Sequence, residues 1–296
     1  MYVHTDRPRD DHGYGEPCLR RTALGAPPVA RPCCLFVPGA FIDPSTIGTH
    51  QGPNERSGVL YTGAAGFIDI GHVRHYCDVT KWAYDQIVAL KGFPGSITTS
   101  EGRATITSSI PAAMWTTVAR DIAFDEGLGH EIMTYWKRFP GMGSSAFSPE
   151  DLCSNHLGTY IAESAIKGLV PGSGLSFGAT VTAVLNATLT ALKAQPLAET
   201  HKAWGRIVNC WMGPSLLSTL SRRNFSVNPW KVGHSSDVAA PGWLTQPPGG
   251  GAQYYTFEYS YTLTAIGTST FATQLQKIRA NALKLFGPKY DQPSCP

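Results

Sequence analysis

Three short segments hold the side chains of this chain that could do chemistry. They are Gly66-Phe-Ile-Asp69-Ile-Gly-His72-Val-Arg74-His75, then Asp125-Glu126-Gly-Leu-Gly-His130-Glu131, then Ser145-Ala-Phe-Ser148-Pro-Glu150-Asp151-Leu-Cys-Ser-Asn155. Histidines and carboxylates at helical spacing are the raw material of a metal centre or an acid–base site. Asp69 and His72 are three residues apart and share a helix face, with His75 further round. The alternative is that Asp69 caps the helix and His72 makes a core hydrogen bond. Glu126 and His130 are four apart and face the same way. His130-Glu131 begins like the zinc-protease signature His-Glu-x-x-His, but Thr134 stands where the second His should be. Glu131 could be a general base, or could pair with Lys137 or Arg138. Glu150, Asp151 and Asn155 open a third helix, where acids are also favourable to the helix dipole without any chemistry.

Other motifs are weaker. Gly174-Leu-Ser176-Phe-Gly178 has the nucleophile-elbow pattern, but the residues before it make a poor strand. No dinucleotide fingerprint or Walker A motif is present. Tyr254, Tyr255, Phe257, Tyr259 and Tyr261 could line a ring-binding face, although such a run more often is the packed face of a strand.

The elements that must position these residues follow from periodicity. Gly58–Thr62 reads as a strand, and so does a short run at Cys33–Pro38. A helical pattern of Val73, Tyr76, Cys77, Val79, Trp82, Ala83, Ile87 and Leu90 runs from Ile68 to Leu90, ended by Gly92, Pro94 and Gly95. Ser96–Ser108 alternates around Glu101-Gly102-Arg103, a β-hairpin. Pro111 opens a helix over Ala112–Phe139, in which Gly127 and Gly129 predict a kink or a close backbone approach. Ser148-Pro-Glu-Asp is a helix start, with Ser148 as N-cap, and that helix runs to about Lys167. Further helices are expected over Ala179–Ala194, Ala198–Trp211 and Phe271–Phe286, with an aromatic strand over Tyr254–Ala265. The fold class is α+β, a mostly helical single domain (31–293) with one or two small antiparallel sheets, preceded by a flexible Pro/Gly/Arg-rich arm (1–30).

Composition narrows the partners. With 296 residues and 42% hydrophobic content, the chain can bury a sizeable core. A formal net charge of +3, with no run of Lys or Arg longer than two, gives no basis for nucleic-acid binding. No segment reaches the roughly 20 apolar residues of a transmembrane helix, and the polar N-terminus shows no secretory signal. Seven cysteines, without a Cys-x-x-Cys pair, argue against a zinc ribbon. Cys33-Cys34 are read as buried thiols in preference to a bridge with Cys18, and the redox compartment stays open.

Arg31–Cys34, Gly66–Arg74, His130–Ile132, Ser145–Gly158 and the closing Phe286-Gly-Pro-Lys-Tyr-Asp291-Gln-Pro together resemble an uncharacterised bacterial domain-of-unknown-function family. The resemblance covers roughly residues 31–293. It implies an exported envelope protein, periplasmic or extracellular, with a leader that this chain lacks, and supplies no reaction. The first expectation is a metal-dependent hydrolase, with zinc as the metal, acting on an amide or ester bond of a small molecule or of the cell envelope. His72, His130, Asp69 and Glu150 would be the metal ligands. Glu131 would be the general base, and Arg74 or Asn155 would steady the oxyanion. One alternative is a carboxylate-bridged iron or manganese pair built from Asp69-x-x-His72 and Glu126-x-x-x-His130. Others are a metal-free enzyme using Glu131 and Glu150 as paired carboxylates, and a non-catalytic envelope protein with a satisfied buried network.

Overall fold

The computed structural model describes residues 41–137, 146–148, 150–168, 174–211, 242–245, 248–259 and 271–286. The expected arm, the strand at 33–38, the Cys33-Cys34 pair and residues 260–265 lie outside that set. Within it the protein is a mostly helical α+β domain with two small antiparallel sheets.

Strands β1 (Val59–Thr62) and β2 (Gly66–Asp69) form the first sheet, with Val59 opposite Asp69 and Thr62 opposite Gly66. Helix α1 (Ile70–Ala89) follows without a loop. The sequence placed the start of that helix at Ile68. The structure instead gives Gly66–Asp69 to a strand, because pairing with β1 satisfies its backbone groups. Asp69 turns the strand into the helix, its carboxylate accepting from the amides of Gly71 (2.6 Å) and His72 (3.3 Å). That is the N-cap geometry that relieves unpaired donors in a first helical turn.

The expected hairpin is β3 (Gly95–Thr98) with β4 (Gly102–Ile106), and β5 (Tyr255–Tyr259) adds a third strand against β4. The aromatic run is therefore a packed strand: Tyr255 is buried, and its hydroxyl donates to Asp125 at 2.8 Å. After a short 3₁₀ turn at Ala112–Met114, helix α2 (Trp115–Lys137) runs unbroken through both glycines. The close approach is present. A Cβ at Gly127 would come within 3.0 Å of Tyr76 and 3.1 Å of Asn155, and one at Gly129 within 3.0 Å of both Glu101 and Tyr259.

Helix α3 (Asp151–Gly168) crosses α1 at Gly158, where an added Cβ would collide with the Val73 carbonyl and where the Cys77 thiol donates to the Gly158 carbonyl. Helix α4 (Phe177–Ala191) packs on α3, and helix α5 (Leu197–Trp211) packs on β1. A single turn, α6 (Gly242–Thr245), lies beside α3, and helix α7 (Phe271–Phe286) packs on α2. Ser176 is the N-cap of α4, accepting from the Ala179 amide at 3.1 Å, which accounts for its place in the elbow-like motif without catalysis.

The apolar side chains separate into groups with distinct tasks. Ile70, Val73 and Cys77 of α1 join Leu157 and Ile161 of α3 and Val181 and Leu185 of α4. Phe124, Leu128 and Ile132 of α2 take Leu275 and Ile278 of α7. Ala83 and Ile87 of α1 pack with Val118 and Ile122 of α2 against the three-stranded sheet, and polar side chains of α1, α2 and α3 meet towards the start of α1. Among the described residues no helix is long and apolar enough to cross a membrane.

Candidate functional site

The three helices bring together residues from all three segments. His72 sits in the first turn of α1 with its Nδ1 2.9 Å from the side-chain oxygen of Asn155 and 3.7 Å from Asp151 Oδ1, both on α3. With the amide oxygen toward the ring, Nδ1 carries the proton and Nε2 is the basic nitrogen. Asn155 is fully buried, and its Nδ2 has no hydrogen-bond partner among the described residues. It faces Gly127 on α2, close to where a side chain there would begin. A buried donor left unpaired costs about 1–3 kcal/mol, so this one marks a place for an acceptor.

Glu150 lies immediately before α3 and is 1% exposed. The Ser148 hydroxyl donates to its Oε2. Burial pushes its carboxyl up to about 8, against the Ser148 hydrogen bond, and charge on Asp69 pushes the same way while His72 pulls it down. Glu150, Asp69 and His72 are thus electrostatic neighbours. Ser154 ties them mechanically, its hydroxyl accepting from the Asp69 amide (2.9 Å) and donating to the Glu150 carbonyl (2.8 Å).

A second group of acids lies on the α2 side. Glu126 is buried and accepts from the Ser100 hydroxyl at 2.5 Å. Burial raises it to about 7, helped by charge on Glu101 and opposed by His130. His130 Nδ1 is 3.4 Å from Glu101 Oε1, and its Nε2 is 3.4 Å from the Thr134 hydroxyl. Tyr76 links this group to α1. Burial drives its phenol well above the usual range, followed by the charges of Glu126, Glu131 and Glu101.

Two expected roles change. Arg74 is fully buried, but its guanidinium donates to Glu55 (2.9 Å) and to the carbonyls of Ile47 (2.7 Å) and Gly48 (3.0 Å). It clamps the 47–55 loop to α1. The reason is rotational: two residues along a helix is about 200°, so Arg74 leaves on the side opposite His72. Glu131 is 1% exposed and accepts from the Phe147 amide at 2.5 Å. Phe147 has φ +57°, so Glu131 fixes a strained turn that delivers Ser148 and Glu150. It is a positioning group.

The expected metal ligands are divided. His72, Asp69 and Glu150 are neighbours, whereas His130 has its contacts with Glu101 and Thr134. Among the described residues no group of three or more His, Cys, Asp or Glu is placed to hold a metal ion. Cys77 and Cys153 are buried thiols outside any disulfide, and burial lifts Cys153 to about 12, which leaves it inert as a nucleophile. His75 is buried, its ring edge-on to that of Tyr76 at 4.9 Å.

Tyr76, Ser100 and Glu101 take part without having been read as site residues, Ser154 stood in the third segment without a role, and Ser148, expected as an N-cap, instead donates to Glu150 just before the helix starts at Asp151. Only Tyr76 gave a signal, standing four residues after His72 on the same helix face.

The fold and site together define a class: a mostly helical α+β domain with a closed histidine–carboxylate junction where three helices meet. Residues 44–215 match the family described as "Protein of unknown function (DUF4056)", and the chain belongs to that family. No curated protein and no solved structure matches the chain.

Proposed function

We propose that this protein is a hydrolase of amide or ester bonds that works by acid–base catalysis at the junction. What supports the reading is the Glu150–His72–Asn155 set: a buried carboxyl pushed towards its protonated form by burial and by the Asp69 charge, beside an imidazole whose Nδ1 is held 2.9 Å from the Asn155 side-chain oxygen. Acids and bases tuned apart by their surroundings are what such catalysis needs. His72 Nε2 takes a proton from water, and the hydroxide adds to the substrate carbonyl carbon. Asp151 favours the resulting imidazolium. Asn155 Nδ2 donates to the oxyanion. Glu150, with Ser148 on Oε2, gives a proton from Oε1 to the departing alcohol or amine. The proton then on His72 returns to Glu150 as the product acid leaves, closing the cycle.

The burial of the junction favours a second reading, a non-catalytic network that fixes how α1, α2 and α3 pack. His72 is 6% exposed, and an open cleft of about 620 Å³ lies elsewhere, lined by Pro44, Ile47, Gly48 and Thr49 and by residues of α4. Against that reading stands the cost of holding a carboxyl so far above its usual range.

The test is a panel of amide and ester substrates, beginning with cell-envelope compounds, on wild type, His72→Ala and Glu150→Gln. Each variant is expected to lose about 10²-fold or more in kcat while remaining folded. Elemental analysis runs beside it. Stoichiometric zinc, iron or manganese that disappears in His72→Ala and His130→Ala would put a metal in place of the proton. No turnover of any substrate, with variants that change only the melting temperature, would favour the network.

A further inference from the structure

Outside the junction, the most fully built polar cluster surrounds His50. Its ring is completely buried, with Nε2 3.0 Å from Asp78 Oδ1 and Nδ1 3.3 Å from Glu55 Oε1. Both ring nitrogens therefore lie within ion-pair reach of carboxylate oxygens, Nε2 in hydrogen-bond geometry with Asp78 and Nδ1 beside Glu55 outside it. A neutral imidazole has one N–H and one lone pair, so one of the two contacts would set a lone pair against an anion. The doubly protonated ring suits both.

The charges agree. Glu55 and Asp78 supply two negative charges; Arg74, 2.9 Å from Glu55, supplies one positive charge and a protonated His50 the other. From α4, the groups against His50 are neutral: the Phe177 ring at 6.0 Å, and the Thr182 hydroxyl, which accepts from the His50 amide at 2.9 Å. Lys81 of α1 lies over the Phe177 ring and is paired with Asp85. Gln51 donates to Asp78 at 2.7 Å. Burial alone would lower the basicity of this ring, but Asp78 and Glu55 outweigh it and the net shift is upward.

What the cluster holds gives it consequence. His50 joins the 47–57 loop to α1 through Asp78 and to α4 through Thr182, and Gly178 lets the His50 carbonyl approach to where a Cβ would be 2.5 Å away. Ile47, Gly48 and Thr49 of this segment line the 620 Å³ cleft together with Thr182, Asn186 and Leu189 of α4. We infer that His50 is a pH-sensitive clasp: protonated, it pins the 44–57 segment to α1 and α4 and fixes the cleft wall; deprotonated, it releases that segment. This inference stands apart from the hydrolase reading and shares no residue with the junction.

The sign follows from linkage. A histidine whose folded pKa is raised contributes its full stabilisation at low pH and loses it as pH rises through the folded value, which here lies above the ordinary 6.5. The experiment is side-chain ¹H–¹⁵N NMR of the whole chain, with His50→Gln used for assignment, together with amide hydrogen exchange from pH 5.5 to 8.5. His50 is expected to carry two ring protons at pH 6.5 and to titrate above it. Residues 44–57 should exchange about tenfold faster, after correction for intrinsic chemistry, once it is neutral, while α5 is unchanged. Asp78→Asn should move the midpoint down, and it supplies the readout if His50→Gln does not fold. A ring already neutral at pH 6, or protection of 44–57 that is independent of pH in the wild type, would overturn the proposal.

Discussion

The two ends of α3 each bury a glutamate, and they treat it in opposite ways. Glu163, near the C-terminal end, is 6% exposed. It has Arg120 at 2.6 Å, Lys167 at 2.8 Å and the Thr117 hydroxyl at 3.0 Å. Burial raises its pKa, but Lys167 and Arg120 more than reverse that and hold the carboxyl below its ordinary range. Glu150, at the N-terminal end, is 1% exposed; burial pushes its carboxyl up, the Asp69 charge adds to the rise, and only the Ser148 hydrogen bond and His72 oppose it among side chains. Burial raises both; at Glu163 two cations outweigh it, and at the more deeply buried Glu150 no comparable cation does. The Glu163 end is an ordinary ion-pair network that ties α3 to α2. At the Glu150 end, acids outnumber the groups that could neutralise them. Such an arrangement costs stability, and it leaves a protonated acid beside a base, which is what the proposed catalysis uses.

Crowding the junction end should have the largest effect. Gly127→Ala would gain up to about 1 kcal/mol from helix propensity if the space were free. Its Cβ meets Tyr76 and Asn155, both buried, so a net loss of about 1–3 kcal/mol is expected in chemical denaturation. Gly205→Ala on α5 has open space around it and should gain, which makes it the control. If Gly127→Ala also gains, the helices are not locked together at the junction.

Removing the charge at the other end should cost less. Glu163→Gln is expected to lose about 1 kcal/mol at pH 7, since Lys167 is well exposed and its share is screened. The sign is that of a depressed acid. The contribution is present above the unfolded value of about 4.5 and is lost as pH falls through the folded one. Wild type and Glu163→Gln should therefore converge in melting temperature towards pH 3.

The smallest effect is expected at Asp69. Asp69→Ala removes an N-cap, a loss of about 1 kcal/mol. It also removes a charge that pushes Glu150 up, so part of the loss is offset at neutral pH. Melting at pH 5 and pH 8 separates the terms: the cap loss dominates at pH 5 and is partly offset at pH 8. An equal loss at both would show that Asp69 and Glu150 do not sense each other.

Periodicity made most of the helices legible, along with the hairpin, because their signals are local. The start of β2 was not, since Gly66–Asp69 is a strand only by pairing with β1. Asp69, His72, Glu150 and Asn155 could be picked out because carboxylates, amides and histidines stand out in a chain with 15% charged residues. Their roles could not, because His72 meets Asn155 across 83 residues of sequence through the close crossing at Gly158. Glu131 looked like a base for the same reason: nothing local shows that the Phe147 amide occupies it. Arg74 differs, since helical rotation alone was enough to separate it from His72.

The most direct test of the central claim is the protonation of Glu150, read from melting temperature between pH 4.5 and 9 in wild type and Glu150→Gln. A carboxyl raised to about 8 in the fold stabilises the wild type fully below its unfolded value of 4.5, and that stabilisation is lost as pH rises to 8. Glu150→Gln should therefore gain on the wild type across that window, by up to a few kcal/mol at pH 8.5, with little difference near pH 4.5. Parallel pH profiles for the two proteins would show that Glu150 is ionised in the fold like any surface acid, which would contradict acid–base catalysis at the junction.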